Sequence, residues 1–154
     1  MESIGFYRGQ LTISEPMPTP VIRQLKKLRQ SSPDTIDIYD APGGASCSVV
    51  ETLRGMDFVL LVTESTPFGL HDLKQIMGIL KDMDISAGVI INRDGIGDNA
   101  VETYCTAVKL PILLRIPFDR QIAEGVSAGK TLIDIYPEYS ALFQQLVNQI
   151  QENC

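Results

Sequence analysis

The stretch FVLLVTESTPFGLHDLKQIMGILKDMDISAGVIIN, residues 58–92, decides the fold class. Its first run, FVLLVT (58–63), is apolar up to its last position, and AGVIIN (87–92) closes the stretch with a second apolar run. Runs of this length without polar alternation suit strands covered on both faces. The segment between them predicts a helix over 69–82. A strand, a helix and a strand at this spacing demand a right-handed crossover and parallel pairing.

The rhythm extends in both directions. Upstream, TIDIYD (35–40) reads as a strand, followed by a glycine-rich loop and a short helix near 47–55. Downstream come a helix over 98–108, the strand PILLRI (111–116), a helix near 119–127 and a last helix at about 137–151. That last helix carries Tyr139, Leu142, Phe143, Leu146, Val147 and Ile150 on one stripe and has no Lys or Arg, so it should dock on the sheet rather than on anionic lipid. At the other end, residues 1–14 predict a short extended or hairpin segment. The three prolines of EPMPTP (15–20) exclude regular structure there. A helix then starts in TPVIRQLKKLRQ, with Thr19 as cap, Pro20 at the first helical position, and Val21, Ile22, Leu25 and Leu28 on one face. The expected fold is α/β, a three-layer Rossmann-like domain around a parallel sheet.

Composition narrows the function. A chain of 154 residues with 44% apolar residues can bury one sizeable core. The net charge of −6, with no basic run beyond KKLR (26–29), argues against nucleic acid. No apolar run reaches the roughly 20 residues of a membrane span, and MESIGFYRGQ does not read as a signal peptide. Cys47, Cys105 and Cys154 form no C-x-x-C pair, which points to a reducing, cytoplasmic compartment.

In open parallel sheets, ligands sit beyond the carboxyl ends of the strands. Four polar segments follow the expected strands: Asp40–Gly44 (DAPGG), Glu64–Gly69 (ESTPFG), Asn92–Gly95 (NRDG) and Pro117–Arg120 (PFDR). An Asp ending a strand before Pro-Gly-Gly suits a carboxylate that holds a magnesium-bound water, or else a tight turn. An Asn offers a donor and an acceptor to a purine edge, and Pro-Phe-Asp a fixed backbone and a ring. Each also reads as an ordinary cap or strand end.

Taken together, DTIDIYDAPGGASCSVVETL, FVLLVTESTPFGLHDLKQ, GVIINR and IPFDRQIAEGVSAGKTL resemble the C-terminal part of MinD/ParA-like P-loop ATPases, the CobQ/CobB/MinD/ParA nucleotide-binding domains. The closest likeness is to MinD-superfamily ATPases that carry an inserted ferredoxin domain. The resemblance implies a single P-loop NTPase-like domain over 1–154, with 1–34 following the ferredoxin insert and 35–154 forming the α/β core. It implies ATP and Mg2+ as cofactors. Asp40 would be the Walker B carboxylate and Pro42, Gly43 and Gly44 the switch II segment. Asn92 and Arg93 would recognise adenine, and Pro117, Phe118 and Asp119 would line the base pocket. The family usually has Pro-Pro-Gly where this chain has Pro42-Gly43-Gly44, and Asp37 is unusual in a buried strand.

The family's opening P-loop, K-G-G-x-G-K-T, has no counterpart before Asp40. The later GVSAGKT (125–131) has Glu124 where the leading glycine belongs, and it follows a helix rather than a strand. Gly125 and Gly129 are expected to end that helix, leaving Lys130 without a phosphate role. The chain therefore reads as the back half of a longer or split ATPase, truncated before the cradle. Its partners would be the P-loop segment or a second subunit, a homodimer mate, and a redox or iron–sulfur client. Cys47 lies seven residues after Asp40, as does the cluster ligand of the related nitrogenase iron protein. It is a candidate iron–sulfur ligand or a small thiol at a helix start. His71, Asp72, Cys105 and Cys154 are read as structural. The competing expectation is a catalytically silent α/β interaction or scaffold module. A phospho-receiver version of it lacks the required Asp on the third strand and Lys near the last.

Overall fold

The structure, a computed structural model, describes residues 5–10, 17–28 and 35–153. The chain divides into two compact units, residues 1–55 and 56–154.

The first unit holds two helices, α1 (Thr19–Lys27) and α2 (Cys47–Leu53). Pro18, not Thr19, takes the N-cap position of α1, and no side chain caps it. The bare cap costs little here because Pro20 brings no N–H to satisfy. The two helices are joined by side chains. Arg23 Nε donates to Glu51 Oε1 at 2.7 Å, and Lys26 Nζ donates to the Glu51 carbonyl at 2.7 Å and to the Arg54 carbonyl. Lys26 thus caps the exposed carbonyl end of α2, where a cation also meets the negative pole of the helix.

The second unit carries the predicted rhythm: β1 (Phe58–Thr63), α3 (Pro67–Met83), β2 (Ser86–Asp94), α4 (Ala100–Val108), β3 (Ile112–Pro117), α5 (Arg120–Ser127), α6 (Leu132–Ile135) and α7 (Tyr139–Gln151). The strands form a parallel sheet in the order β1-β2-β3. Val89, Ile90 and Ile91 of β2 are all buried, so both faces of the central strand are covered. Gly88 makes room on that strand, because a Cβ there would stand 2.4 Å from Leu113 Cδ1 and 3.2 Å from the Phe58 ring. Leu73, Ile76 and Leu80 of α3 and Val101 and Cys105 of α4 complete the core. As expected, α7 docks on the sheet, packing against β3.

Two expectations change. TIDIYD (35–40) forms no strand, and Ile36 and Ile38 are 58% and 89% exposed. A β-prone segment becomes a strand only when a neighbouring backbone offers a ladder, and none of the described strands pairs with it. The extended or hairpin segment expected over residues 1–14 falls partly outside the described residues, and 5–10 has no regular structure.

The GVSAGKT segment is a helix end. Gly129, at φ +80°, donates to the Val126 carbonyl, and Lys130 N–H donates to the Gly125 carbonyl, which is the paired closure of a glycine-terminated helix. Gly125 itself lies inside α5, where a Cβ would collide with Ile135 of α6 at 2.5 Å. Thr131 then caps α6 in a reciprocal pair with Asp134. Lys130 is exposed in this turn.

Candidate functional site

The rim at the carboxyl ends of β1, β2 and β3 gathers the second unit's site candidates. Asn92 and Arg93 lie within β2 rather than after it, because the strand runs on to Asp94. Arg93 takes a left-handed backbone, φ +54°, which is uncommon for a side chain of this size. The ladder shifts register between Ile91 and Asp94, where β2 meets Pro117 of β3. This local turn of the backbone sends the Arg93 guanidinium over the Phe118 ring, 5.1 Å from its centroid, and to 3.5 Å from Glu64 Oε1. Phe118 is held by its own N–H, which donates to the Asp94 carbonyl at 2.7 Å, yet the residue stays 55% exposed. A carboxylate, a guanidinium and an open aromatic face thus meet at the ends of three strands. A planar cation on an aromatic ring is a sequence-independent attraction that also stacks well on a third flat group.

Asp119 has another duty. One carboxylate oxygen accepts from Gln121 N–H at 2.6 Å, capping α5, and the other accepts from Tyr136 Oη at 2.7 Å. The Tyr136 hydroxyl, then the Gln121 amide, hold its carboxyl below the usual aspartate range. Pro117 ends β3 and is exposed.

Other rim groups were not singled out from sequence. Arg115 bridges Asp94 Oδ1 at 3.1 Å and Glu102 Oε1 at 3.0 Å, and the hydrogen bond to Glu102 is the leading cause that raises the Arg115 pKa. Ser65 is 3% exposed, with an Oγ that has no partner, and its carbonyl accepts from Asp98 N–H at 3.3 Å. The glycine of IGDN (96–99) is the sequence signal for it. A Cβ on Gly97 would lie 1.6 Å from that carbonyl, so only glycine lets the loop after β2 close on the loop after β1.

In the first unit, Asp40 and Pro42 line a cavity of about 360 Å³ together with Val21, Ile22 and Leu25 of α1. Most of its wall is apolar. Gly43 and Gly44 stand in open space, with Gly44 at φ +85°. They form a bend with room to rearrange. Cys47 is exposed at the first position of α2. Among the described residues, no three His, Cys, Asp or Glu side chains gather to hold a metal. Cys105 is buried, which pushes its thiol pKa up, and Cys154 lies outside the described residues. His71 and Asp72 are exposed on α3. No helix among the described residues is long and apolar enough to cross a membrane.

No protein-family profile matches the chain. It is 30% identical over 142 residues to the uncharacterized protein MJ0579 of Methanocaldococcus jannaschii, covering 92% of this chain and 49% of that protein. It is 20% identical over 146 residues to the uncharacterized protein MJ0578 of the same organism, covering 94% and 50%. The chain therefore spans about half the length of the curated relatives it matches. Among solved structures, it superposes on the MinD cell division protein of Aquifex aeolicus with a TM-score of 0.62 at 20% identity, over 88% of this chain and 60% of that one. A ParA family ATPase from Chlorobium tepidum TLS gives 0.50 at 20% identity, over 69% and 46%. The fold is that of MinD and ParA ATPases, a P-loop NTPase-like α/β domain.

Proposed function

We propose, from the premise of a MinD/ParA-type fold, that this chain is part of an ATP-binding and ATP-hydrolysing protein whose phosphate cradle comes from polypeptide outside these 154 residues. The observation that carries the reading is the Arg93 guanidinium lying 5.1 Å from the centroid of the exposed Phe118 ring, at the carboxyl rim of a parallel sheet. That pair offers a flat, cationic platform to a nucleobase, and the Asn92 amide offers its edge both a donor and an acceptor. Pro117 stiffens the segment that carries the ring. Asp119 acts on the platform by capping α5, next to Phe118.

Asp40 is assigned to hold a water of a magnesium ion, and Pro42, Gly43 and Gly44 to the segment that responds to the γ-phosphate. An exposed carboxylate before two open glycines fits that part. When bound, magnesium neutralises charge on the transferring phosphoryl group. An iron–sulfur role fits less well: Cys47 has no set of companion ligands among the described residues, and no step is derived through a cluster. A cluster there would take its remaining ligands from a second copy, and a redox client would follow only from that.

Calorimetry tests the reading. ATP with Mg2+ is titrated into this chain alone, then into this chain mixed with the part of MJ0579 that lies outside the match. Binding in the mixture is expected; its absence there sinks the proposal.

A second reading, a nucleotide-free interaction module, draws on Ile36 and Ile38, whose exposed side chains suit a protein partner. A stable co-purifying protein whose complex is indifferent to ATP would favour it.

A further inference from the structure

Asp40 is joined to α2 through a bend that does not hold itself. Pro42, Gly43 and Gly44 are all exposed, and a Cβ on either glycine would meet no atom within 4 Å. Glycines in open space fix neither the direction nor the distance of what they connect. The place of the Asp40 carboxylate relative to α2 must therefore be set by a contact that spans the bend.

Lys26 of α1 makes that contact. Its Nζ donates to the Glu51 carbonyl at 2.7 Å and to the Arg54 carbonyl, both at the end of α2. The same ammonium lies over the Tyr39 ring, 6.0 Å from its centroid, and Tyr39 directly precedes Asp40. One cation thus reaches the chain on both sides of the glycines. An ammonium has three donors; two are spent on α2, and its charge also meets an aromatic face. Lys26 is half-buried, and that burial lowers its pKa. Arg23 braces the same turn, forking onto the Glu51 carboxylate at 2.7 Å and 3.4 Å. Val21 and Leu25 of α1, Asp40 and Pro42, and Ser48 and Thr52 of α2 all line the cavity of about 360 Å³. A gap of that size keeps the two arms from packing closely on α1, so the polar ties carry the alignment.

We propose that Lys26 is a positioning residue for Asp40: it straps Tyr39 and the end of α2 to α1, and so holds the Asp40 carboxylate in one place across the Gly43–Gly44 bend. The proposal rests on the reading above, in which Asp40 holds a magnesium-bound water. Lys26 acts through Tyr39 and α2, not on the ligand. Its effect belongs to the metal's requirement and not to the nucleobase, because the Arg93–Phe118 platform lies in the other compact unit. Lys27, exposed on the same helix, carries the same charge and serves as the control.

Nitrogen-15 relaxation NMR on this chain alone compares the unsubstituted protein with Lys26→Met, which keeps the stem and removes the donors, once circular dichroism shows both folded. In the variant, backbone order parameters of Tyr39 and Asp40 are expected to fall from about 0.85 to below about 0.6, with those of β2 unchanged. If Lys26→Met does not fold, Tyr39→Leu, which removes only the ring contact, takes its place with the same expected loss at Asp40. In the mixture with the unmatched part of MJ0579, Lys26→Met should raise the Mg2+ concentration for half-maximal ATP hydrolysis by about tenfold, while KM for ATP changes by less than about twofold. Lys26→Arg should restore most of the Mg2+ dependence, and Lys27→Met should behave as the unsubstituted chain. Unchanged order parameters at Tyr39 and Asp40 overturn the proposal. So does an equal loss in Lys27→Met, or an effect confined to KM for ATP. A mixture of unsubstituted chains that binds no ATP removes the nucleotide reading alone, and the strap then stands or falls on the order parameters.

Discussion

Gly97→Ala tests whether the rim is held as one piece. Gly97 has φ +82°, and a Cβ there would stand 1.6 Å from the Ser65 carbonyl oxygen and 2.8 Å from its carbon. A comfortable carbon–oxygen approach is about 3.3 Å, so the loops must part by about 1.7 Å. The left-handed backbone alone costs an alanine about 1–2 kcal/mol. Parting the loops also weakens the Asp98 N–H to Ser65 bond, for about 1 kcal/mol more, and shifts the cap of α3. The expected loss is about 2–3 kcal/mol. Gly95→Ala is the control: φ is +99° there, but nothing lies within 4 Å of the new Cβ, so only the backbone cost of about 1–2 kcal/mol remains. Urea unfolding followed by circular dichroism compares the two variants. Equal stabilities, within about 0.5 kcal/mol, would refute the claim that the loops after β1 and β2 are locked together. Because Glu64, the partner of Arg93, precedes Ser65, Gly97→Ala should also weaken ATP binding in the mixture of chains.

Other outcomes follow from single contacts. Leu80→Ala empties a site that is 1% exposed in the core of α3 and should cost about 2–5 kcal/mol in urea unfolding. Tyr136→Phe removes the leading cause of the low Asp119 pKa, so a carboxyl NMR titration should find that pKa moved up toward the ordinary value. The sign is that of a depressed carboxylate. The stability it lends is present above the ordinary aspartate pKa and is lost as pH falls through the depressed folded value, and the variant should show a smaller acid loss. Lys130→Ala should leave ATP affinity in the mixture unchanged by calorimetry, since Lys130 is exposed in the closing turn of α5.

The sequence by itself determined the parallel sheet. Five apolar residues in a row, as in FVLLV (58–62), suit a strand covered on both faces, and helical segments of the right length lie between the runs. It also marked the rim, because polar, glycine- and proline-bearing segments follow strand after strand. The helix end at Gly129 was equally legible, since glycine closes a helix for local reasons. Other features depend on groups distant in sequence. TIDIYD has the composition of a strand, but a ladder needs a neighbour, and the described strands do not supply one. Asp119 also accepts a hydrogen bond from Tyr136, 17 positions on, a pairing that local sequence does not encode. Gly125 looked like a helix end until Ile135 was seen packed against it inside α5. The Arg93–Phe118 platform arises from a shift of register between two strands and a left-handed residue at their end. Local preference is written residue by residue, whereas which side chains meet is settled only when strands pair and helices pack across them.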